Sequence, residues 1–213
     1  MSTKFRVTLT KSEMRMAEAV GRTRTAESRQ QGLTPILEND TQEYNSEAQE
    51  YRDRMGALGE IAVAKAFNVF FPGHVNVGKE IPDVYDWEVR ATDDPDNRLI
   101  IRPRDKLDRI YILVCVGEEG RCWVRGYFDA KNLTEARKRA WEFDPGNRGP
   151  GWFIPNHELK NCDDLLKEIY HPDINLLHDE TWDDEWKGPR DFSDFPPLNL
   201  PPDAGEVIPF PKK

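Results

Sequence analysis

Two stretches of the chain bring together residue types that could act jointly in one site. They are Gly56-Ala57-Leu58-Gly59-Glu60, and Pro82-Asp83-Val84-Tyr85-Asp86-Trp87-Glu88-Val89-Arg90. Side chains alternate faces along a strand. Glu88 and Arg90 would therefore point one way, and Trp87, Val89 and Ala91 the other, into a core. The spacing predicts strands over 80–84 and 87–91, joined as a hairpin around Tyr85-Asp86. That hairpin would carry Asp83 and Glu88 to one side. Two carboxylates and a backbone carbonyl form an all-oxygen donor set, which suits Mg²⁺ or Mn²⁺ rather than zinc.

These residues resemble the PD-(D/E)xK nuclease superfamily, in which a helix supplies a glutamate, often in a GxxGE setting, and an Asp and a Glu-x-Lys motif follow on a β-hairpin. Gly56, Gly59 and Glu60 match the helix part, Asp83 and Glu88 the two acids, and Arg90 stands in the lysine position. A looser resemblance, to phage-encoded proteins with such a core, runs through VTLTKSEMRMAEAVG, IPDV, LIIRPRD, VRGYF and WFIPNHEL. The resemblance implies a restriction-endonuclease-like fold and phosphodiester hydrolysis of DNA. Asp83, Glu88 and the Val89 carbonyl would hold Mg²⁺ or Mn²⁺. Glu60 would orient the metal's water shell or bind a second ion, and Arg90 would neutralise charge in the transition state. Arg98, Arg102, Arg104 and Lys106 would grip backbone phosphates, and Tyr85 could stack on a base. Arginine cannot serve as a base, so Lys79 and Lys106 are substitutes for the missing lysine. The same departure supports an alternative, a non-cleaving binding module on the same fold.

Blander roles compete at each position. Acid pairs near turns are common on protein surfaces. Asp86 reads as a turn residue. Arg102 and Arg104 fit ion pairs with Asp105 and Asp108 as well as they fit DNA. Arg15, Arg22, Arg24 and Arg29 read as the solvated face of one helix, with a phosphate-contacting face as the alternative.

The elements that must position these groups form a mixed α/β pattern, with a central mixed sheet flanked by helices. A short strand over 4–9 precedes a helix from Thr10 to about residue 30, opened by the capping-box spacing of Thr10 and Glu13. A second helix covers about 48–68. Its glycines, Gly56 and Gly59, each cost about 1 kcal/mol in a helix interior, so their presence points to close approach of another backbone. Strands follow at 98–102, 110–116 (IYILVCV, read as central and buried on both faces), 122–128 and 151–154. Helices follow over about 133–142 and 163–170. The expected organisation is one domain over 1–178, with a strand-helix extension (1–47) and a core (48–178). An acidic, proline-rich tail over 179–213, expected to be disordered, completes the chain.

The net charge of −9 argues at first against a nucleic-acid partner. Residues 179–213, however, hold nine acids against four bases. More than half of the excess thus sits in the tail, and a local basic groove remains possible elsewhere. Trp182, Trp186, Phe192 and Phe195 lie among those acids, so the tail could engage a host protein or cover a basic groove. Cys115, Cys122 and Cys162 are odd in number and form no CxxC pair, which speaks against disulfides and structural zinc. No histidine has a ligand partner at i+4. No apolar run approaches the ~20 residues of a membrane helix, and the N-terminus lacks a signal-peptide stretch. The expected location is the cytoplasm.

Overall fold

Thr10 caps the first helix as its spacing predicts: Glu13 N–H donates to the Thr10 hydroxyl at 3.2 Å, and Thr10 N–H to the Glu13 carboxylate at 2.6 Å. The computed structural model describes residues 5–32, 46–76, 80–143 and 150–169. These all lie in one unit, Met1–Pro172. The expected tail over 179–213 and most of the loop over 32–48 lie outside the described residues. In chain order the elements are β1 (Phe5–Thr8), α1 (Lys11–Gln30), α2 (Ser46–Ala66), β2 (Trp87–Thr92), β3 (Leu99–Ile101), β4 (Ile110–Val116), β5 (Arg121–Asp129), α3 (Glu135–Trp141), β6 (Glu142–Phe143), β7 (Gly151–Ile154) and α4 (Asp163–Ile169). The fold is mixed α/β, with a mixed sheet flanked by helices.

The main sheet has the order β1-β5-β4-β2, and a smaller sheet has the order β3-β7-β6. β4 is central and serves two cores at once. Ile112, Val114 and Val116 join the core under the helices, with Ala57, Ile61 and Val63 of α2 and Phe67 just after it. Tyr111 and Leu113 join a second core with Leu99, Ile101 and Ile154 of the small sheet. This division explains why IYILVCV is a continuous apolar run rather than an alternating one.

The hairpin expected at 80–91 is replaced by a tighter device. Residues 80–84 form no strand; a single bridge links Val84 to Trp87. β2 pairs instead in parallel with β4, Glu88 opposite Tyr111 and Arg90 opposite Leu113. Pro82 has no N–H to give a ladder, and Ile81 is exposed, so 80–84 gains little by pairing. β4 offers β2 a longer apolar partner. The alternation within β2 is as expected, with Trp87 and Val89 buried and Glu88 and Arg90 half-buried.

Close packing of the helices is set by glycine. A Cβ on Gly21 would lie 2.7 Å from the Arg54 backbone nitrogen, and one on Gly59 would lie 2.8 Å from the Ala91 Cβ. α1 therefore lies directly on α2, and α2 directly on β2. Among the described residues, no helix is long and apolar enough to cross a membrane.

Candidate active site

Glu60 follows Gly59 at the contact between α2 and β2, and is buried there. Its carboxylate takes a two-pronged ion pair from Arg24 of α1, Nη1 to Oε1 at 2.7 Å and Nη2 to Oε2 at 2.8 Å. The side chains are only 14% and 5% exposed. Arg24 Nε also donates to the His74 carbonyl at 2.8 Å. Arg24 is thus not on the solvated face expected for it; Arg22 is, pairing with Glu18 and Glu50 at the surface. Burial pushes the Glu60 carboxyl up to about 7, against the pull of Arg24 and with added repulsion from Asp83 and Glu88. Burial also opposes the Arg24 charge, but Glu60, Asp83 and Asp53 outweigh it and hold the guanidinium above its ordinary value. Arg24 therefore stays charged, and Glu60 is the partner that titrates.

A pH effect on stability follows. A raised folded-state carboxyl favours the native state below the ordinary value of 4.5, and that advantage is lost as pH rises through about 7. The full effect is roughly 3 kcal/mol. Urea unfolding should show wild-type stability falling between pH 5 and 7.5 relative to Glu60→Gln, which lacks this titration. Parallel pH curves for the two proteins would refute the assignment.

Asp83 and Glu88 face one cleft of about 190 Å³, together with Ile81, Arg90, Asp105, Lys106 and Tyr111. Asp83 is fixed from below, where its Oδ2 accepts the Val89 N–H at 2.8 Å. Glu88 pairs with Arg109, and its other oxygen lies 3.8 Å from Arg90. Burial first, and then Asp83, raise the Glu88 carboxyl above its ordinary value despite these cations. Arg90 is held on three sides. Nη2 donates to Asp105 at 3.0 Å, Nη1 to the Val89 carbonyl at 3.3 Å, and the guanidinium lies 5.0 Å from the Tyr111 ring centre. Asp105 also accepts the Arg102 N–H at 2.9 Å. Lys106 pairs with Glu80.

The cleft thus brings together Asp83, Glu88, Arg90 and Lys106 of the sequence-derived set, while Glu60 is drawn away to Arg24. Arg98, Arg102 and Arg104 line an adjoining cleft of about 300 Å³ that shares Arg90 and Asp105 with the first. Lys79 lies outside the described residues. Sequence reading offers Arg24 only as part of a solvated or phosphate-contacting helix face, assigns no role to Arg109, and offers Asp105 only as a partner for Arg102 and Arg104. A signal for Arg24 exists in the stripe Ala17, Gly21, Thr25 along α1, small residues that are all buried. Arg24 sits beside it.

Among the described residues, no three histidine, cysteine, aspartate or glutamate side chains are gathered closely enough to hold a metal ion. The expected meeting of three acids in a single pocket is therefore reduced to two, Asp83 and Glu88. Two carboxylates still fit a hard divalent ion of the magnesium class, which keeps several waters and needs only one or two carboxylates from the protein. The Val89 carbonyl adds a third oxygen next to Glu88 in sequence. No family model, no curated protein and no solved structure matches the chain.

Proposed function

We propose that this chain is a Mg²⁺- or Mn²⁺-dependent nuclease that hydrolyses phosphodiester bonds in DNA. One observation carries the reading: the Asp83–Glu88 cleft shares Arg90 and Asp105 with a cleft lined by Arg98, Arg102 and Arg104. An acidic pocket able to hold a cation beside a basic track is the charge arrangement that phosphodiester cleavage requires.

Asp83, Glu88 and the Val89 carbonyl would hold the ion, which when bound lowers the pKa of a water and polarises the phosphate. Arg90 cannot take the water's proton. Its charge, oriented by Asp105 and Tyr111, is aimed instead at negative charge developing on phosphate oxygens. Arg98, Arg102, Arg104 and Lys106 position the strand by its phosphates, without reading sequence. Glu60 and Arg24 form a buried ion pair, coupled electrostatically to Asp83.

A second reading is favoured by one contact. Arg90 Nη1 lies 3.3 Å from the Val89 carbonyl and 3.8 Å from Glu88, so a guanidinium already sits by two of the three ion-binding oxygens. A chain that keeps it there would bind nucleic acid without cutting, or engage a host protein, with residues 179–213 as the acidic contact segment.

The deciding experiment incubates the full chain with supercoiled plasmid and with single- and double-stranded oligonucleotides, in Mg²⁺ or Mn²⁺ and with excess EDTA. The expected result is cleavage that EDTA abolishes. Binding without cleavage of any substrate would overturn the nuclease reading in favour of the second.

A further inference from the structure

At the N-terminal end of the β2–β4 pair lies a third cleft, of about 300 Å³, that the proposed hydrolysis does not use. This is the lower end of the size range of small-molecule sites. We propose that it is a nucleobase site for bases bearing an exocyclic amine. The proposal deepens the nucleic-acid reading, and its test requires no cleavage.

Tyr85 is the first ground for it. It lines the cleft, is 53% exposed, and has a φ of 54°. Bulky residues rarely adopt positive φ, and a turn needing it is served with less strain by glycine or asparagine. Tyrosine therefore gains only partial burial and no backbone ease at this position. What it offers is a ring presented to solvent and backed by Trp87, with ring centres 5.1 Å apart. Such a ring suits stacking on a flat heterocycle.

Charge is the second ground. Asp86, Asp108, Asp129 and Glu168 line the cleft against Arg109 and Lys131, leaving a net of −2. A phosphate is repelled there. Carboxylates accept hydrogen bonds from the amines of cytosine and adenine, groups that thymine lacks. Ile110 and Ile169 add apolar wall for the ring.

Position is the third. Trp87 pairs with Ile110 and Glu88 with Tyr111, neighbouring rungs of one ladder, about 3.3 Å apart. Arg109 lines this cleft while its guanidinium holds Glu88 and the Glu80 carbonyl. Arg109 thus links this cleft to Glu88 of the other, so a base seated here lies next to residues that the proposed hydrolysis uses.

The test titrates the full chain with deoxycytidine, deoxyadenosine, thymidine and spermidine, reading NMR shifts and calorimetry. The three nucleosides share a sugar, carry no phosphate for the acidic lining to repel, and differ in the amine. The expected result is deoxycytidine and deoxyadenosine binding at least tenfold tighter than thymidine. Tyr85→Ala should weaken them about tenfold or more with an unchanged Tm, while Tyr85→Phe retains binding. The proposal fails if thymidine binds equally, if Tyr85→Ala has no effect, or if spermidine binds and the nucleosides do not. A chain that binds deoxycytidine this way but never cuts DNA removes the nuclease reading alone. One that cuts without this preference removes the base site alone.

Discussion

Exchanging Arg24 for methionine will destabilise the fold by about 3–5 kcal/mol at pH 8, the cost of leaving a buried charge without its partner. The reason is local. Glu60 has a 5% exposed side chain, with both carboxylate oxygens given to Arg24. Asp83 and Glu88 already repel it, so losing the guanidinium adds to a penalty that is already present. Without Arg24, the Glu60 carboxyl moves further upward, and the protein must either ionise it at a loss or carry a proton at neutral pH. The penalty therefore shrinks at pH 5, where Glu60 is neutral with or without Arg24, and only the lost hydrogen bonds remain. Arg24→Met combined with Glu60→Met should recover most of the loss, because a buried ion pair exchanged whole for apolar groups is often neutral. Chemical denaturation of the four proteins at both pH values measures this directly. A single-variant loss under about 1 kcal/mol at pH 8 would mean that the pair is solvated rather than buried.

How much of this was legible in the sequence depends on how far each feature reaches along the chain. The Thr10–Glu13 cap, the β4 run and the alternation of Trp87, Glu88, Val89 and Arg90 are local, and their residues dictate them. Gly59 is legible as a point of close approach, since a Cβ there would meet Ala91 at 2.8 Å. Arg24 is not legible from its type. Arg22 and Arg24 look alike on paper, yet two residues turn a helix by about 200°. One arginine therefore meets surface glutamates, and the other meets a buried glutamate thirty-six positions away. The parallel pairing of β2 with β4 was hidden for a different reason. A tight turn at Tyr85-Asp86 favours a hairpin locally, and only the longer apolar partner in β4 overrides it. Arg109 was lost with that pairing, because it reaches Glu88 only when Ile110 sits opposite Trp87. What sequence alone does capture of the cleft is its short-range part, the convergence of Asp83 with Glu88 across the turn.

Glu88→Gln should lower metal-dependent cleavage by at least about 10³-fold while leaving the protein folded. Glutamine keeps the shape and one oxygen able to accept from Arg109, so the ladder between β2 and β4 is undisturbed. It removes half of the anionic charge with which the Asp83–Glu88 pair would hold a cation. Asp83→Asn should cost a similar factor, because the same pair loses its other carboxylate. The double variant should then be little worse than either single one, since groups that act as a unit give non-additive losses. Arg98, Arg102 and Arg104 remain in place in all three proteins, so DNA affinity at fixed salt should change by less than about threefold, since phosphate contacts carry it. The loss should therefore appear in kcat rather than in KM. Mn²⁺ binding followed by electron paramagnetic resonance gives a second readout, independent of turnover, in which each single variant binds the ion more weakly than wild type. Wild-type rates in Glu88→Gln, or Mn²⁺ binding that ignores both substitutions, would place any nuclease chemistry elsewhere on the chain and leave the acidic cleft as a guanidinium-filled structural site.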